Sequence, residues 1–210
     1  MAERTTGQRP DLVELALALV AERGWRHLSF TEIARRADVP LSRVYAELPN
    51  RGALLETLSR RLDGQMLDVS IVDLEGLSPR ERVFELVMRR FDAMAPYKEG
   101  LRALAREAAG DLELIAAGLC NLDRLSRWLL DAAETGDGPA MSAIARKILA
   151  GIYARVFRVW LDDDTPDLAR TLAELDRRLQ QAESLAHWTR GFRRRRGRGG
   201  EETATAPTAS

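Results

Sequence analysis

The chain has 210 residues, 45% apolar and 30% charged, with a formal net charge of zero. That length suits one or two compact modules with a sizeable core, and the neutral total excludes inferring a polyanionic partner from charge alone. Of the 32 basic residues all but Lys98 and Lys147 are Arg. A GC-rich genome produces such a bias by itself, so it carries no functional weight. The lone Cys120 excludes an internal disulfide and fits a reducing compartment, so a cytoplasmic location is expected. The first residues lack a signal-peptide layout, because Leu12–Val20 carries Glu14 and runs straight into a domain. No run of about 18 apolar residues exists to span a membrane as a helix.

Residues 9 to 60 pack three short helical signals and the start of a fourth. Leu12, Leu15, Ala16, Leu19 and Val20 form an apolar stripe at helical spacing. Pro10 is placed to start this helix and Gly24 to stop it in a left-handed conformation. Ser29-Phe30-Thr31-Glu32 is a capping-box pattern that predicts a second helix to about Ala37, with Ile33 and Ala34 inward. Asp38-Val39-Pro40 breaks it. A third helix is expected from Leu41 to about Glu47, with Val44 buried and Ser42, Arg43 and Tyr45 more exposed. Pro49 ends that helix. Asn50 caps a fourth, striped by Leu54, Leu58, Leu62, Met66 and Val69.

This spacing is what a helix-turn-helix needs to set one exposed helix in the major groove. Leu41, Ser42 and Arg43 fall in the first turn of that helix, and an Arg there can pair bidentately with guanine. Arg51 opens the next helix, where backbone amides favour a phosphate. Thr31 and Arg36 are positioned to hold the DNA backbone. The bland alternatives are solvated charges for Arg36 and Arg51 and a boundary aromatic for Tyr45. Trp25 and Phe30 read as core. Ala21-Glu22-Arg23-Gly24-Trp25, Ser29 to Ala34, Val39, Val44-Tyr45 and Pro49 to Leu55 together resemble the TetR family of one-component bacterial regulators. The resemblance implies an all-α homodimer with an N-terminal reading head and a ligand-binding, dimerising helical body. It also assigns Tyr45 a phosphate contact. Three positions depart from the family pattern: Glu47, acidic near DNA; Leu48, replacing an aromatic; and Asp38, replacing the turn Gly. Residues 1–62 hold ten Arg against eight acidic residues, a small electrostatic footprint.

Ser78-Pro79-Arg80-Glu81 starts another helix, after a loop from Asp73 to Leu77. It runs to Met94 before Pro96, and a shorter helix spans about Lys98–Ala109. A long one from Leu112 to Ala133 precedes a turn at Gly136-Asp137-Gly138-Pro139. The helix from Ala140 to Leu161 is apolar on several sides and needs cover on more than one face. The last begins near Thr165-Pro166. The stripe Ile148, Ile152, Val156, Leu168, Leu172, Leu175 and Leu179 is the expected dimer interface, a four-helix bundle with the symmetry mate. The plain alternative is a monomeric core. Phe84, Met88, Phe91, Met94, Leu119 and Trp128 are candidates for lining a cavity for an apolar small molecule or lipid. Each alone reads more simply as core.

Met88 to Asp92, Trp160-Leu161-Asp162-Asp163-Asp164-Thr165 and Thr171 to Leu179 resemble the C-terminal half of the coenzyme Q biosynthesis accessory lipid-binding family. That resemblance implies an apolar lipid pocket, no catalysis, and a head that no longer reads DNA. Residues 193–198, Arg-Arg-Arg-Arg-Gly-Arg, follow Trp188 and Phe192. They suit peripheral contact with anionic lipid, DNA phosphates, or nothing but solvent, and the tail to Ser210 reads as disordered. Catalytic and metal-binding constellations are missing, and no cofactor motif is present. His27 and His187 fall in separate modules, Cys120 reads as a small buried residue, and Asp162-Asp163-Asp164 as a solvated loop. The expectation is therefore an all-α TetR-like fold of about nine helices. It comprises a helix-turn-helix domain at 1–62, a ligand-binding and dimerisation domain at 63–190, and a tail at 191–210.

Overall fold

A computed structural model describes residues 10–134 and 139–198, with side chains described outside 139–142 and 185–198. Among the described residues the chain forms nine helices of seven residues or more and one of four. No helix in that set is long and apolar enough to cross a membrane.

α1 (Leu12–Arg23) starts where the Asp11 carboxylate accepts from Val13 N (3.0 Å) and Glu14 N (3.2 Å). Pro10 therefore lies one residue outside the cap rather than opening the helix. Gly24 ends it at φ +85°. A Cβ there would meet Glu107 Oε1 at 2.5 Å, and Glu107 accepts from the Trp25 amide at 2.8 Å. α2 (Phe30–Ala37) takes half of the expected capping box, Glu32 N donating to Ser29 Oγ at 3.4 Å, while the Glu32 carboxylate turns instead to Arg35 and Arg23. Asp38 holds the left-handed turn (φ 53°, ψ 48°) before α3 (Leu41–Glu47), consistent with the tolerance of Asp for that region. Asn50 caps α4 (Arg51–Leu67) through Ala53 N at 2.8 Å.

Ile71–Leu74 forms a single helical turn, α5, capped by Ser70, so the expected loop begins only at Glu75. α6 (Pro79–Met94) has the complete Ser78–Glu81 capping box. α7 (Lys98–Glu107), α8 (Leu112–Ala132), α9 (Pro139–Leu161) and α10 (Ala169–Arg198) follow. α10 carries the Arg-rich segment on its last turns, so residues 191–198 are helical rather than part of a structureless tail. The turn expected at Gly136–Gly138 and the tail from 199 lie outside the described residues.

One buried cluster runs from α1 to α10. Most of the stripe proposed for dimerisation is used inside it. Val156 and Leu175 are fully buried, and Ile152 and Leu179 are buried beside them. Leu168 and Leu172 are half-buried. Only Ile148 keeps an exposed side chain, together with Ile144 on the same outward face one turn earlier. The physical reason is that α9 must cover α8 on one side and α10 on the other, and the broad apolar circumference serves both.

The acidic corner is not a solvated loop. Asp163 is fully buried and accepts from Thr165 Oγ1 (2.6 Å), Thr171 N (2.8 Å) and Thr171 Oγ1 (2.8 Å), which ties the end of α9 to the start of α10. Burial pushes its carboxyl up, but the Thr165 and Thr171 hydroxyls and amides outweigh burial and hold it at about 2. Lys98 Nζ donates to Asp163 O (2.5 Å) and Arg102 Nε to Leu161 O (3.0 Å), so two α7 cations cap the C-terminus of α9. The late start of α10 follows: Thr165 and Leu168 (φ +50°) belong to this corner, not to the helix.

α7 also touches the first module. Gly100 lies against α1 so closely that a Cβ would stand 2.8 Å from Leu17 O. Backbone on both sides prevents relief by a rotamer change. Gly100→Ala should therefore cost about 1–3 kcal/mol despite the better helix propensity of Ala, read as a lowered urea midpoint; an unchanged midpoint would refute this packing. A second expectation concerns pH. The folded carboxyl of Asp163 is depressed from 3.8 to about 2, so its contribution is present above pH ~4 and lost as pH falls through 2, on the order of 2–3 kcal/mol in all. The stability gap between wild type and Asp163→Asn should be of that order at pH 7 and narrow between pH ~4 and ~2. A pH-independent gap would contradict the assignment.

Candidate DNA-reading face and apolar cavity

α2 and α3 pack through Ile33, Ala34, Ala37 and Val44, all buried. Leu48 fills the site after α3 as core, and Trp25 is buried as expected. The outward face of α3 is left to solvent: Tyr45 is 71% and Leu41 52% exposed, with Ser42 exposed between them. Thr31 is exposed on α2.

Among the described residues, the arginines of the head are all engaged. Arg43 folds back along α3, with Nε 3.0 Å from Glu47 Oε1 and Nη2 3.4 Å from Pro10 O. Glu47, the acidic departure from the expected pattern, is thus the direct partner of the candidate base-reading Arg. Arg36 forms a two-pronged pair with Glu22 at 2.7 and 2.6 Å; that hydrogen bonding lowers the Glu22 carboxyl and raises the Arg36 guanidinium. Arg51 departs furthest from its expected phosphate role. Its Nη2 donates to Arg26 O and Leu28 O, both at 3.1 Å, and its guanidinium stands 5.6 Å from the centre of the Trp25 ring. Arg51 is a clamp between α4 and the turn before α2. A charge at a helix start is read from sequence as anion-facing, but two unpaired carbonyls nearby compete for the same donor.

The second feature is a cavity of about 390 Å³ between α4, α6, α7, α8 and α9. This is a common size for a small-molecule site. Leu55, Leu58, Leu62, Leu101, Leu104 and Phe157 supply much of its apolar wall. Of the six candidate lining residues, Met94 and Leu119 reach it. Phe91 is fully buried elsewhere, stacked between Tyr153 and Trp160 at centroid distances of 5.5 and 5.6 Å. Phe84 faces α10 beside Arg80 and Asp176, Met88 packs half-buried on the core, and Trp128 is 49% exposed. The wall from α4 was missed because its leucines serve the head and the cavity with one stripe. Cys120, expected to be buried, is exposed on α8.

Polar residues enter the cavity wall at Ser59, Arg90, Asn121, Tyr153 and Arg158. Arg90 Nη2 lies 2.9 Å from Asp63 Oδ1 and 3.3 Å from Ser59 Oγ, and Nη1 donates to Tyr153 Oη at 3.3 Å. Burial pushes the Tyr153 hydroxyl up, and the adjacent Arg90 opposes that rise. Among the described residues no group of three or more His, Cys, Asp or Glu is arranged to hold a metal ion.

The COQ9 family model matches residues 145–186, which span most of α9 and the first half of α10. The match includes the Trp160–Thr165 corner and Thr171–Leu179, and does not reach Met88–Asp92. No curated protein matches the sequence significantly. Among solved structures, a TetR transcriptional regulator from Nitrosomonas europaea is 22% identical, with a TM-score of 0.68 over 82% of this chain and 95% of that one. A transcriptional regulator from Rhodococcus sp. RHA1 is 22% identical, with a TM-score of 0.57 over 81% and 92%. A TetR transcriptional regulator from the same organism is 17% identical, with a TM-score of 0.55 over 81% and 92%. The chain thus has the fold of TetR regulators, with a COQ9-like segment where α9 joins α10.

Proposed function

We propose that the chain is a DNA-binding transcriptional regulator of the TetR type, a cytoplasmic homodimer that represses from a palindromic operator and responds to a small, largely apolar molecule. The observation that carries this reading is the solvent-facing surface of α3, with Leu41, Ser42 and Tyr45 uncovered by any described residue. The pairs that hold Arg36 and Arg43 are no obstacle. Exposed ion pairs contribute about 0.2–1 kcal/mol, whereas a bidentate Arg–guanine contact discriminates by about 1–3 kcal/mol. Arg43 gains by leaving Glu47 for a guanine. Tyr45 and Thr31 then meet phosphates, while Arg51 keeps the elbow between α4 and the head rigid.

The cavity shares its walls with the helices that hold the head. α4 contributes Leu55, Leu58, Ser59 and Leu62 and opens at Arg51 inside the head. α7 contributes Leu101 and Leu104 and packs on α1 through Gly100. A ligand that spreads α4 from α7 therefore displaces the head, and in a dimer a changed half-site separation weakens operator binding. For the dimer we assign the outward face of α9, with Ile144 and Ile148 exposed, and Trp128 of α8. The buried remainder of the stripe braces that face from within.

The COQ9 match favours a second reading, a non-catalytic lipid-binding accessory protein of quinone biosynthesis whose head no longer meets DNA. Carboxylate partners on Arg36 and Arg43 suit it. Selection from random DNA followed by fluorescence anisotropy separates the two. The regulator should show specific, salt-sensitive binding that falls at least tenfold in Arg43→Ala and several-fold in Tyr45→Phe. Glu47→Gln should raise affinity several-fold, because it frees Arg43 and removes a charge facing phosphates. Sequence-independent binding at low salt, indifferent to all three changes, would sink the regulator and leave the accessory role.

A further inference from the structure

The cavity wall carries an unbalanced charge. Arg90, 5% exposed, lines it, and its Nε has no hydrogen-bond partner. Asp63 is the carboxylate within ion-pair distance, but Oδ1, 2.9 Å away, lacks a well-directed hydrogen bond. Arg124 claims the same carboxylate, Nε to Oδ2 at 3.1 Å, and donates Nη2 to Ser59 Oγ at 2.8 Å. Among the described residues neither guanidinium has another carboxylate. Two cations therefore share one anion. Ser59 Oγ already accepts from both Arg90 and Arg124, which leaves its own proton to donate.

A buried guanidinium is costly unless its N–H groups and charge are fully met, and Arg124, 30% exposed, draws on the same carboxylate that should meet Arg90. Apart from Asn121, half-buried on α8, and Arg158 on α9, the rest of the wall is leucine, isoleucine, alanine, glycine, methionine and aromatic residues, so an anion meeting Arg90 has to arrive on a largely apolar body. Resting on the ligand-site role given to the cavity above, we infer that it takes an anionic amphiphile. Its single apolar chain lies between α4, α7 and α8, and its carboxylate or phosphate head is held by Arg90 and the Ser59 hydroxyl. Arg124 acts behind them as a positioning residue, orienting Ser59 and neutralising Asp63. Arg158 also lines the cavity but is exposed on α9, where water screens it, so it is the weaker anchor.

Isothermal titration with dodecanoate, dodecyl phosphate and dodecan-1-ol, each below its micellar concentration, tests this. A hydrogen bond to a charged group is worth about 1.5–3 kcal/mol, so at least one of the two acids should bind tenfold or more tightly than the alcohol. Which acid wins tells a carboxylate from a phosphate head. Arg90→Met, similar in length and apolar, should abolish the acid preference while the alcohol still binds; Arg158→Gln should keep the preference. Gly118 lines the cavity, and a Cβ there meets nothing within 4 Å. Gly118→Phe should therefore fill the space at no cost in helix propensity and remove binding of all three probes. Equal affinity for acids and alcohol in the wild type, lost in Gly118→Phe, overturns the anionic head and leaves the cavity as an apolar ligand site. The same holds if the preference follows Arg158 instead of Arg90. Failure of every probe to bind, or binding untouched by Gly118→Phe, overturns the cavity reading as well. The wild-type comparison decides even where Arg90→Met does not fold.

Discussion

Two helices, α4 and α7, serve both halves of the molecule, and the close contact of α7 with α1 makes that sharing rigid. Gly100 lets the α7 backbone approach Leu17 O, a distance that any side chain on that face would forbid. Further ties act beside it. Asp11, which caps α1, is held by Arg61 of α4, and Arg61 also reaches Tyr97 at the entrance of α7; hydrogen bonds from Arg61 and from the α1 amides overcome burial to keep the Asp11 carboxyl low. Glu107, at the other end of α7, accepts from the Trp25 amide beyond Gly24. α7 is thus fixed to α1 near both ends and in its middle. A displacement of α7 in the body cannot leave the head behind, because packed interfaces shift between discrete arrangements rather than deform continuously.

Charge is distributed differently in the two halves, and burial explains the consequence. The head pairs Arg36 with Glu22 and Arg43 with Glu47 at the surface, where water screens each pair and its loss costs little. Those cations remain available. The body places Arg90 and Asp63 out of water, where the geometry of each bond decides whether the pair is tolerable. Formal neutrality of the whole chain hides both facts. The head carries exchangeable surface pairs, whereas in the body the buried Arg90–Asp63 pair shares its carboxylate with the partly exposed Arg124.

Three helix starts were legible because short-range chemistry fixes them, whereas Pro10 and Thr165-Pro166 each fell outside the helix they were expected to open. Ser29, Asn50 and Ser78 cap as their side chains dictate, and Asp38 adopts the left-handed turn that its position demands. The order of the longer helices and the inward face of α2 and α3 followed from periodicity together with caps and breakers, while the single turn α5 was not foreseen. What stayed hidden depends on contacts distant in sequence. Arg51 looked like a phosphate ligand because nothing local shows that the carbonyls of Arg26 and Leu28 lie within reach. Asp163 looked solvated because its two threonines sit two and eight residues onward, across a bend. The stripe of α9 and α10 could have faced a partner or its own chain, since an apolar side chain does not specify whose apolar surface it meets. Phe91 and Met94 are one turn apart on α6 and equally apolar, yet one stacks in the core and the other lines the cavity.

The COQ9-like segment takes on a physical meaning in this light. Its Trp160–Thr165 corner is built from contacts within the chain. It joins two helices through Asp163, two threonines and the α7 cations Lys98 and Arg102. Lys98 adds a contact over the Trp160 ring, 5.1 Å from its centre. From that corner α9 runs back to Tyr153, whose hydroxyl receives Arg90 at the cavity. The segment therefore fixes one wall of the ligand space through the same α7 that grips α1. Sequence similarity confined to α9 and α10 constrains how the cavity is built and says nothing of the head. The regulator proposed above turns on a site about a hundred residues earlier, where Glu47 holds Arg43 on α3. The two readings proposed above therefore differ at α3, since the same cavity and the same brace enter both.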